Sequence, residues 1–231
     1  MDPYTILKGL SVAAIPLLLA IIFHEIAHGW VANRLGDPTA KQMGRLTINP
    51  VAHIDIFGTV IMPIILFVFS NGNFSFGYAK PVPVNPFNLR NPKRDMAIVS
   101  FAGPATNIIL AAISILFALI VAALRISPLL PQFLSSTLLV PISQMLSFSV
   151  TINIFLAAFN LIPIPPLDGG RVLTGLLPDR YAYSFSKIEP YGFMILFMLI
   201  ILGITDYFVI PVATVIKGLL ILIFSPLRGL L

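Results

Sequence analysis

The sequence predicts an α-helical polytopic membrane protein, with about five to six transmembrane helices, a re-entrant segment and a small membrane-associated β-hairpin. Three observations carry that prediction. The 231 residues are 58% hydrophobic and only 10% charged, against roughly 25% charged in average soluble domains, so the chain cannot cover a water-facing surface. Its apolar runs are long rather than short and alternating, which favours helices over a barrel, because each helix satisfies its own backbone in lipid. Between residues 49 and 88 the runs give way to polar residues and prolines, and there the irregular elements are expected.

The first apolar run predicts a helix over 4–33. Asp2 precedes Lys8, so it lacks a basic start, and it has no A-x-A-like end; it reads as a retained helix, not a signal peptide. The segment "NPVAHIDIFGTVIMPIILFVFS", Asn49 to Ser70, is long enough to cross. It also carries His53, Asp55, Gly58 and Pro63, which suit a broken, re-entrant element buried in protein. In "NGNFSFGYAKPVPVNPFN", Asn71 to Asn88, Phe74, Phe76 and Tyr78 alternate with small residues while Pro81, Pro83 and Pro86 forbid a helix. That pattern reads as a strand or hairpin with one edge blunted by proline. Further helices are expected over 96–124, 137–162, 189–205 and 207–224, with Asp206 between the last two and Pro211 in the first turn of the last.

Lys and Arg bias the topology. If 34–95 returns to its starting side and the N-terminus lies outside, the inside holds 11 basic residues: Arg34, Lys41, Arg45, Lys80, Arg90, Lys93, Arg94, Arg171, Arg180, Lys187 and Arg228. The outside then holds only Lys8 and Arg125. If 52–70 crosses fully, the better orientation puts nine inside and four outside. Both satisfy the rule, and the first does so more strongly. The net charge of +5 is spread over loops, which suits an anionic membrane surface and gives no sign of nucleic-acid binding.

The chain has no cysteine, so disulfides and thiolate metal sites are excluded and a metal must be held by His, Asp or Glu. "HEIAH" places His24 and His28 four residues apart, on one helix face within reach of one ion. Glu25 lies one step round, placed to touch a water beside that ion without ligating it. Two imidazoles leave a catalytic site one protein ligand short. Of nine acids, Glu25 is already assigned and Asp2, Asp37, Asp95, Asp179, Glu189 and Asp206 fall in loops or at ends, which leaves Asp55 and Asp168. Asp168 has the more telling context, "FNLIPIPPLDGGRVLTGLL". Pro163, Pro165 and Pro166 stop a long helix there, and Gly169 and Gly170 permit tight backbone before a second short helix. A carboxylate on irregular backbone at membrane depth is a functional candidate by default. Asn160, just before the break, carries an amide with two N–H donors. Asn107 follows a Gly-Pro break and reads as fixing helix packing, with an accessory role toward substrate as the alternative. His53 and Asp55 share a face only if their segment is a strand, and read either as accessory groups on a water path or as a structural pair.

"HEIAH", "FAGPATN" (Phe101 to Asn107) and "NLIPIPPLDGG", in this order inside membrane helices, resemble the site-2 protease family of intramembrane zinc metalloproteases. The similarity runs from about residue 10 to 178 and is loose over 37–95. It implies Zn2+ held by His24, His28 and Asp168, Glu25 as base, Asn160 orienting substrate, and a cell-membrane site near the cytoplasmic side. The chain looks like a compact form without a PDZ-like or nucleotide-sensing module. Residues 1–231 then read as one domain, with a catalytic core over about 4–178 and C-terminal helices over about 189–224.

The expected activity is hydrolysis of peptide bonds in or near a transmembrane protein or peptide substrate, with membrane lipid as the surrounding partner. Glu25 is expected to take a proton from the attacking water and pass it to the leaving amine. The predicted strand around Phe74–Val84 would orient the unwound substrate by strand addition. A metal or ion transporter would need ionisable residues leading across the bilayer, and apart from His53 and Asp55 there are almost none. A catalytically inactive scaffold would be expected to have lost the base, and Glu25 is present.

Overall fold

A computed structural model of the chain describes residues 3–69, 77–126 and 131–228. The first apolar run forms α1, Pro3–Arg34. It ends where Gly36 turns the chain at φ +114°, a left-handed conformation that costs glycine nothing. A short α2, Thr39–Gln42, follows. After a 3-10 turn at Pro50–His53, a π-helical turn, Ile56–Ile61, runs into α3, Met62–Phe69. A second 3-10 turn, Pro86–Asn88, precedes the long α4, Pro92–Ile126. Two short turns, α5 (Gln132–Leu134) and the π-helical Ser135–Leu139, lead into α6, Val140–Asn160. The remainder is α7 (Asp168–Leu176), α8 (Asp179–Ser186), α9 (Glu189–Ile201) and α10 (Asp206–Arg228).

Four helices are long and apolar enough to cross a membrane: Gly9–Arg34, Pro92–Ile126, Gln132–Asn160 and Asp206–Pro226. A fifth span exists if α8 and α9, bent by 68°, are taken together. The expected five to six spans are thus four to five among the described residues. The difference is the helix Ile56–Phe69, which has fewer than 18 residues. At 1.5 Å per residue its two stretches of 6 and 8 residues rise ~21 Å together, short of the ~30 Å hydrocarbon core.

The described residues contain no β-strand. The Phe74–Phe76 arm of the expected hairpin lies outside the described residues. The other arm, residues 77–85, is irregular. Its alternate amides serve the fold instead of a ladder: Tyr78 donates to the Gly58 carbonyl at 3.0 Å and Lys80 to the His53 carbonyl at 2.9 Å. Pro81 and Pro83 bring no N–H at all.

Helix α4 is the centre of the bundle, packed against α1, α6 and α7, while α10 packs on α6 and α4. One buried cluster joins α4, α6 and α10 through Ala111, Ile154, Ala157, Ile216 and Leu220. A second joins α6, the proline break, α9 and α10 through Ala158, Ile162, Leu167, Leu196 and Val209. The alanines at these crossings let helices approach closely, as lipid-embedded interfaces require. Leu18, Leu19, Ile113, Phe117 and Ile120 remain exposed on the outer faces, where acyl chains take the place of a core. On the polar side Asp37 is fully buried. It accepts bonds from the Thr39 amide (3.1 Å), the Asn85 amide (2.7 Å) and Asn88 Nδ2 (2.9 Å), tying the end of α1 to the start of α4. Burial pushes this carboxyl up, but the bonds from Thr39, Asn88 and Asn85 outweigh it and hold the group below the usual carboxylate range.

Candidate metal centre and active site

His24 and His28 stack on one face of α1, as their i, i+4 spacing requires, with ring centroids 4.7 Å apart. Asp168 comes to them from the N-terminus of α7. The helix α6 ends at Asn160, and the chain folds back through Pro163 and a cis Pro165–Pro166 bond. The first turn of α7 then packs directly against that break. A Cβ at Gly170 would lie 2.5 Å from Pro165 N, and one at Gly169 would overlap the Leu161 carbonyl. The two glycines after Asp168 are therefore a packing requirement: only bare backbone brings the carboxylate this close to α1. On the other side, α4 passes the imidazoles at Gly103, where a Cβ would sit 2.5–2.6 Å from ring atoms of His24 and His28.

The three side chains converge. His24 Nε2 lies 3.1 Å and His28 Nε2 3.4 Å from Asp168 Oδ2, and the two Nε2 atoms are 3.1 Å apart. The proton positions follow from the opposite ring edges. His24 Nδ1 donates to Asn107 Oδ1 at 2.6 Å, and His28 Nδ1 donates to the Val99 carbonyl at 2.8 Å. With Nδ1 protonated, each ring in its neutral, metal-binding form turns an Nε2 lone pair toward Asp168. Asp168 Oδ2 is correspondingly buried without a hydrogen-bond donor. Three buried acceptors aimed at one point repel one another unless a cation lies between them. Ligand atoms on a tetrahedral ion with bonds of ~2.0–2.1 Å stand ~3.3–3.4 Å apart, close to the separations here. Two imidazoles and one carboxylate also match the donor set of a three-ligand zinc site. Among the described residues, His24, His28 and Asp168 are the group with this geometry.

A cavity of about 540 Å³ opens on this cluster and is also lined by Glu25, Asn160 and Arg171. Glu25 Oε2 accepts the Val82 amide at 2.7 Å, so the irregular 77–85 segment reaches the acid directly. Asn160 Nδ2 donates to the Leu156 carbonyl at 3.0 Å, which leaves its second N–H and its carbonyl oxygen uncommitted. Arg171 lies 3.7 Å from Glu189 at the start of α9.

The other candidates are placed differently. Asn107 is fully buried and touches the site through His24, a tighter role than helix packing alone. His53 and Asp55 do not line the cavity. His53 Nε2 donates to the Thr47 carbonyl at 2.8 Å, and Asp55 Oδ1 caps the turn after it by accepting the Gly58 amide at 2.7 Å. Sequence reasoning missed the Val82 amide and the Val99 carbonyl, backbone groups with no signature in residue type. It also missed Asn153, buried behind Asn107. A signal for that one existed, since an Asn in the middle of an apolar span needs a partner.

Comparison with known proteins places this geometry. The family described as Peptidase family M50 matches over residues 12–137 and 129–203. "Putative zinc metalloprotease YwhC" of Bacillus subtilis is 33% identical over 211 residues, covering 91% of this chain and 90% of the relative. "Putative zinc metalloprotease Rip2" of Mycolicibacterium smegmatis is 27% identical over 186 residues, 80% of this chain and 64% of the relative. "Zinc metalloprotease MJ0392" of Methanocaldococcus jannaschii is 24% identical over 177 residues, 76% of this chain and 37% of the relative. No solved structure matches. With a family match that takes in the histidines of α1, the Gly103–Asn107 stretch of α4 and the Asp168 turn alike, the chain belongs to Peptidase family M50, the site-2 protease family.

Proposed function

We propose that His24, His28 and Asp168 hold one Zn2+ and that Glu25 is the base of a zinc-dependent intramembrane endopeptidase. The observation that carries this reading is the convergence of two Nε2 lone pairs and a donor-less carboxylate oxygen at the wall of a cavity that Glu25 shares. Bound there, Zn2+ supplies a Lewis acid that polarises a carbonyl and brings the pKa of water near neutrality.

The chain's own groups do the rest. With Oε2 engaged by the Val82 amide, Glu25 keeps Oε1 to take a proton from the attacking water and return it to the leaving nitrogen. Asn160 offers its remaining N–H and carbonyl to the peptide on either side of the scissile bond, which orients the carbonyl for attack.

The substrate is a transmembrane protein segment. Its helix hides its carbonyls in its own hydrogen bonds, so it must unwind before attack. The 77–85 segment is the surface on which it rests once extended, pairing by strand addition. Tyr78, Lys80 and Val82 have spent their amides inward; on the opposite edge Pro81 and Pro83 bring no N–H, so Ala79 supplies the amide that a substrate strand would pair with. The site lies near the cytoplasmic end of the spans. Helix α1 runs about 20 residues before His24, near 30 Å of rise, and the basic residues gather on the same side.

Glu25→Gln tests the reading. The purified variant should bind zinc at the wild-type ratio and cleave no transmembrane peptide, while His24→Ala and Asp168→Ala should lose the metal. Cleavage by Glu25→Gln at the wild-type rate would remove Glu25 as the base.

A further inference from the structure

We infer that Asn153, in the middle of α6, is a positioning residue for the metal centre, acting through Asn107 to fix which nitrogen of His24 carries the proton. The inference rests on the zinc reading above and extends it two side chains into the bundle.

The orientations follow in sequence from one fixed acceptor. Asn153 Nδ2 donates to the Ser149 backbone carbonyl at 2.8 Å, so its Oδ1 must face the other way. Asn107 Nδ2 meets that Oδ1 at 2.9 Å and also the Ala20 carbonyl at 3.2 Å. Both acceptors demand the N–H end of the Asn107 amide, which leaves Oδ1 for His24 Nδ1 at 2.6 Å. An acceptor at that distance requires Nδ1–H. The remaining ring nitrogen, Nε2, then carries the lone pair toward Asp168 and His28. A helix carbonyl of α6 thus sets the tautomer of a ligand on α1 through two amides of α6 and α4.

Asn107 and Asn153 are 0% and 1% exposed. Neither amide can turn over without leaving a buried N–H or C=O unpaired, at a cost of about 1–3 kcal/mol for each group so exposed. His28 needs no such chain, because the Val99 carbonyl holds its Nδ1 directly. Beyond Asn153 the network runs on to Ser149 Oγ (3.3 Å) and from there to Ser114 Oγ (2.8 Å). Those hydroxyls rotate freely and carry no directional information, so the ordering ends at Asn153. Partners of this kind around a metal-ligating histidine commonly change metal affinity by about 10–100-fold.

The test uses the full chain in detergent and reads zinc affinity by competition with a chelator, with no reliance on turnover. Asn153→Ala should weaken zinc binding about tenfold, toward the lower end of that range because it acts through Asn107, and Ser114→Ala should leave it unchanged. Wild-type affinity in N153A, or equal weakening in S114A, overturns the inference. If N153A does not fold by circular dichroism, the 15N imidazole resonances of His24 in the zinc-free wild-type chain, above the histidine titration range, decide it. An Nδ1–H tautomer supports the ordering, and Nε2–H, the form the free histidine side chain prefers, overturns it. Failure of the zinc reading itself looks different: the wild-type chain would then bind no zinc, or His24→Ala would bind it as tightly.

Discussion

Replacing Gly103 by alanine tests how tightly α4 is fitted to the His24 and His28 imidazoles. The added Cβ would lie 2.5 Å from His24 Cε1 and 2.6 Å from both His24 Nε2 and His28 Cε1. Carbon atoms in contact stand at least about 3.5 Å apart, so the rings or the helix must move by ~1 Å. Neither ring has slack, since Asn107 and Val99 hold their far edges. Overpacking of this kind costs about 1–3 kcal/mol of stability, and a ~1 Å displacement at a reacting centre costs on the order of 10²-fold in rate. The assay is a pair of measurements on purified protein: zinc affinity by chelator competition, and the initial rate on a transmembrane peptide. Gly103→Ala should weaken both and lower the melting temperature. The control is Gly218→Ala in α10, where a Cβ meets nothing within 4 Å. That change should stabilise slightly, by about 0.5–1 kcal/mol, with affinity and rate unchanged. Wild-type zinc affinity and rate in G103A would refute the claim that this helix fixes the ligand geometry.

Three further outcomes follow from other parts of the fold. Asp37 accepts bonds from Thr39, Asn85 and Asn88 while fully buried, so Asp37→Asn should cost about 2 kcal/mol in thermal or denaturant unfolding. Because the Asp37 carboxyl is held below its usual range in the fold, its contribution is complete above the ordinary carboxylate range near pH 4 and disappears as pH falls through the folded value. The acid limb of the stability profile should therefore flatten in D37N, and an unchanged limb would count against this role for Asp37. Gly169→Ala should abolish zinc retention even in protein that still folds, because the new Cβ overlaps the Leu161 carbonyl and displaces Asp168; metal analysis after gel filtration reads this directly. Ala79→Pro removes an amide that has no partner among the described residues, so it should slow peptide cleavage while zinc content stays at the wild-type ratio, and an unchanged rate would discard strand addition.

Much of the helical frame was legible because lipid imposes a simple rule: long apolar runs become helices. The expected 137–162 begins within Val140–Asn160 and its leading turns, and 207–224 lies inside Asp206–Arg228. The short α8 was not foreseen, since "DRYAYSFS" is too brief and too polar to announce itself by hydropathy. Of the expected strand or hairpin, the described arm, residues 77–85, is irregular, and the Phe74–Phe76 arm lies outside the described residues. Alternating residues can dock singly, and here Tyr78, Lys80 and Val82 send their amides to the Gly58 carbonyl, the His53 carbonyl and the Glu25 carboxylate. At the site, residue type and spacing were enough to bring His24, His28 and Asp168 into one hypothesis, because each is costly in a membrane without a purpose. What supports those three was much less visible. The backbone groups of Val82 and Val99 leave no trace in composition, and His53 and Asp55, which the sequence leaves open between accessory groups and a structural pair, bond to Thr47 and Gly58 away from the cavity lining.

The account turns on one coordination sphere. X-ray absorption at the zinc edge of the purified chain reads it most directly. The expected spectrum has nitrogen and oxygen donors at about 2.0–2.1 Å, the outer-shell pattern of two imidazoles in the wild-type chain, and loss of the metal in D168A. Zinc bound with no imidazole pattern, or bound unchanged when Asp168 is removed, would contradict the account.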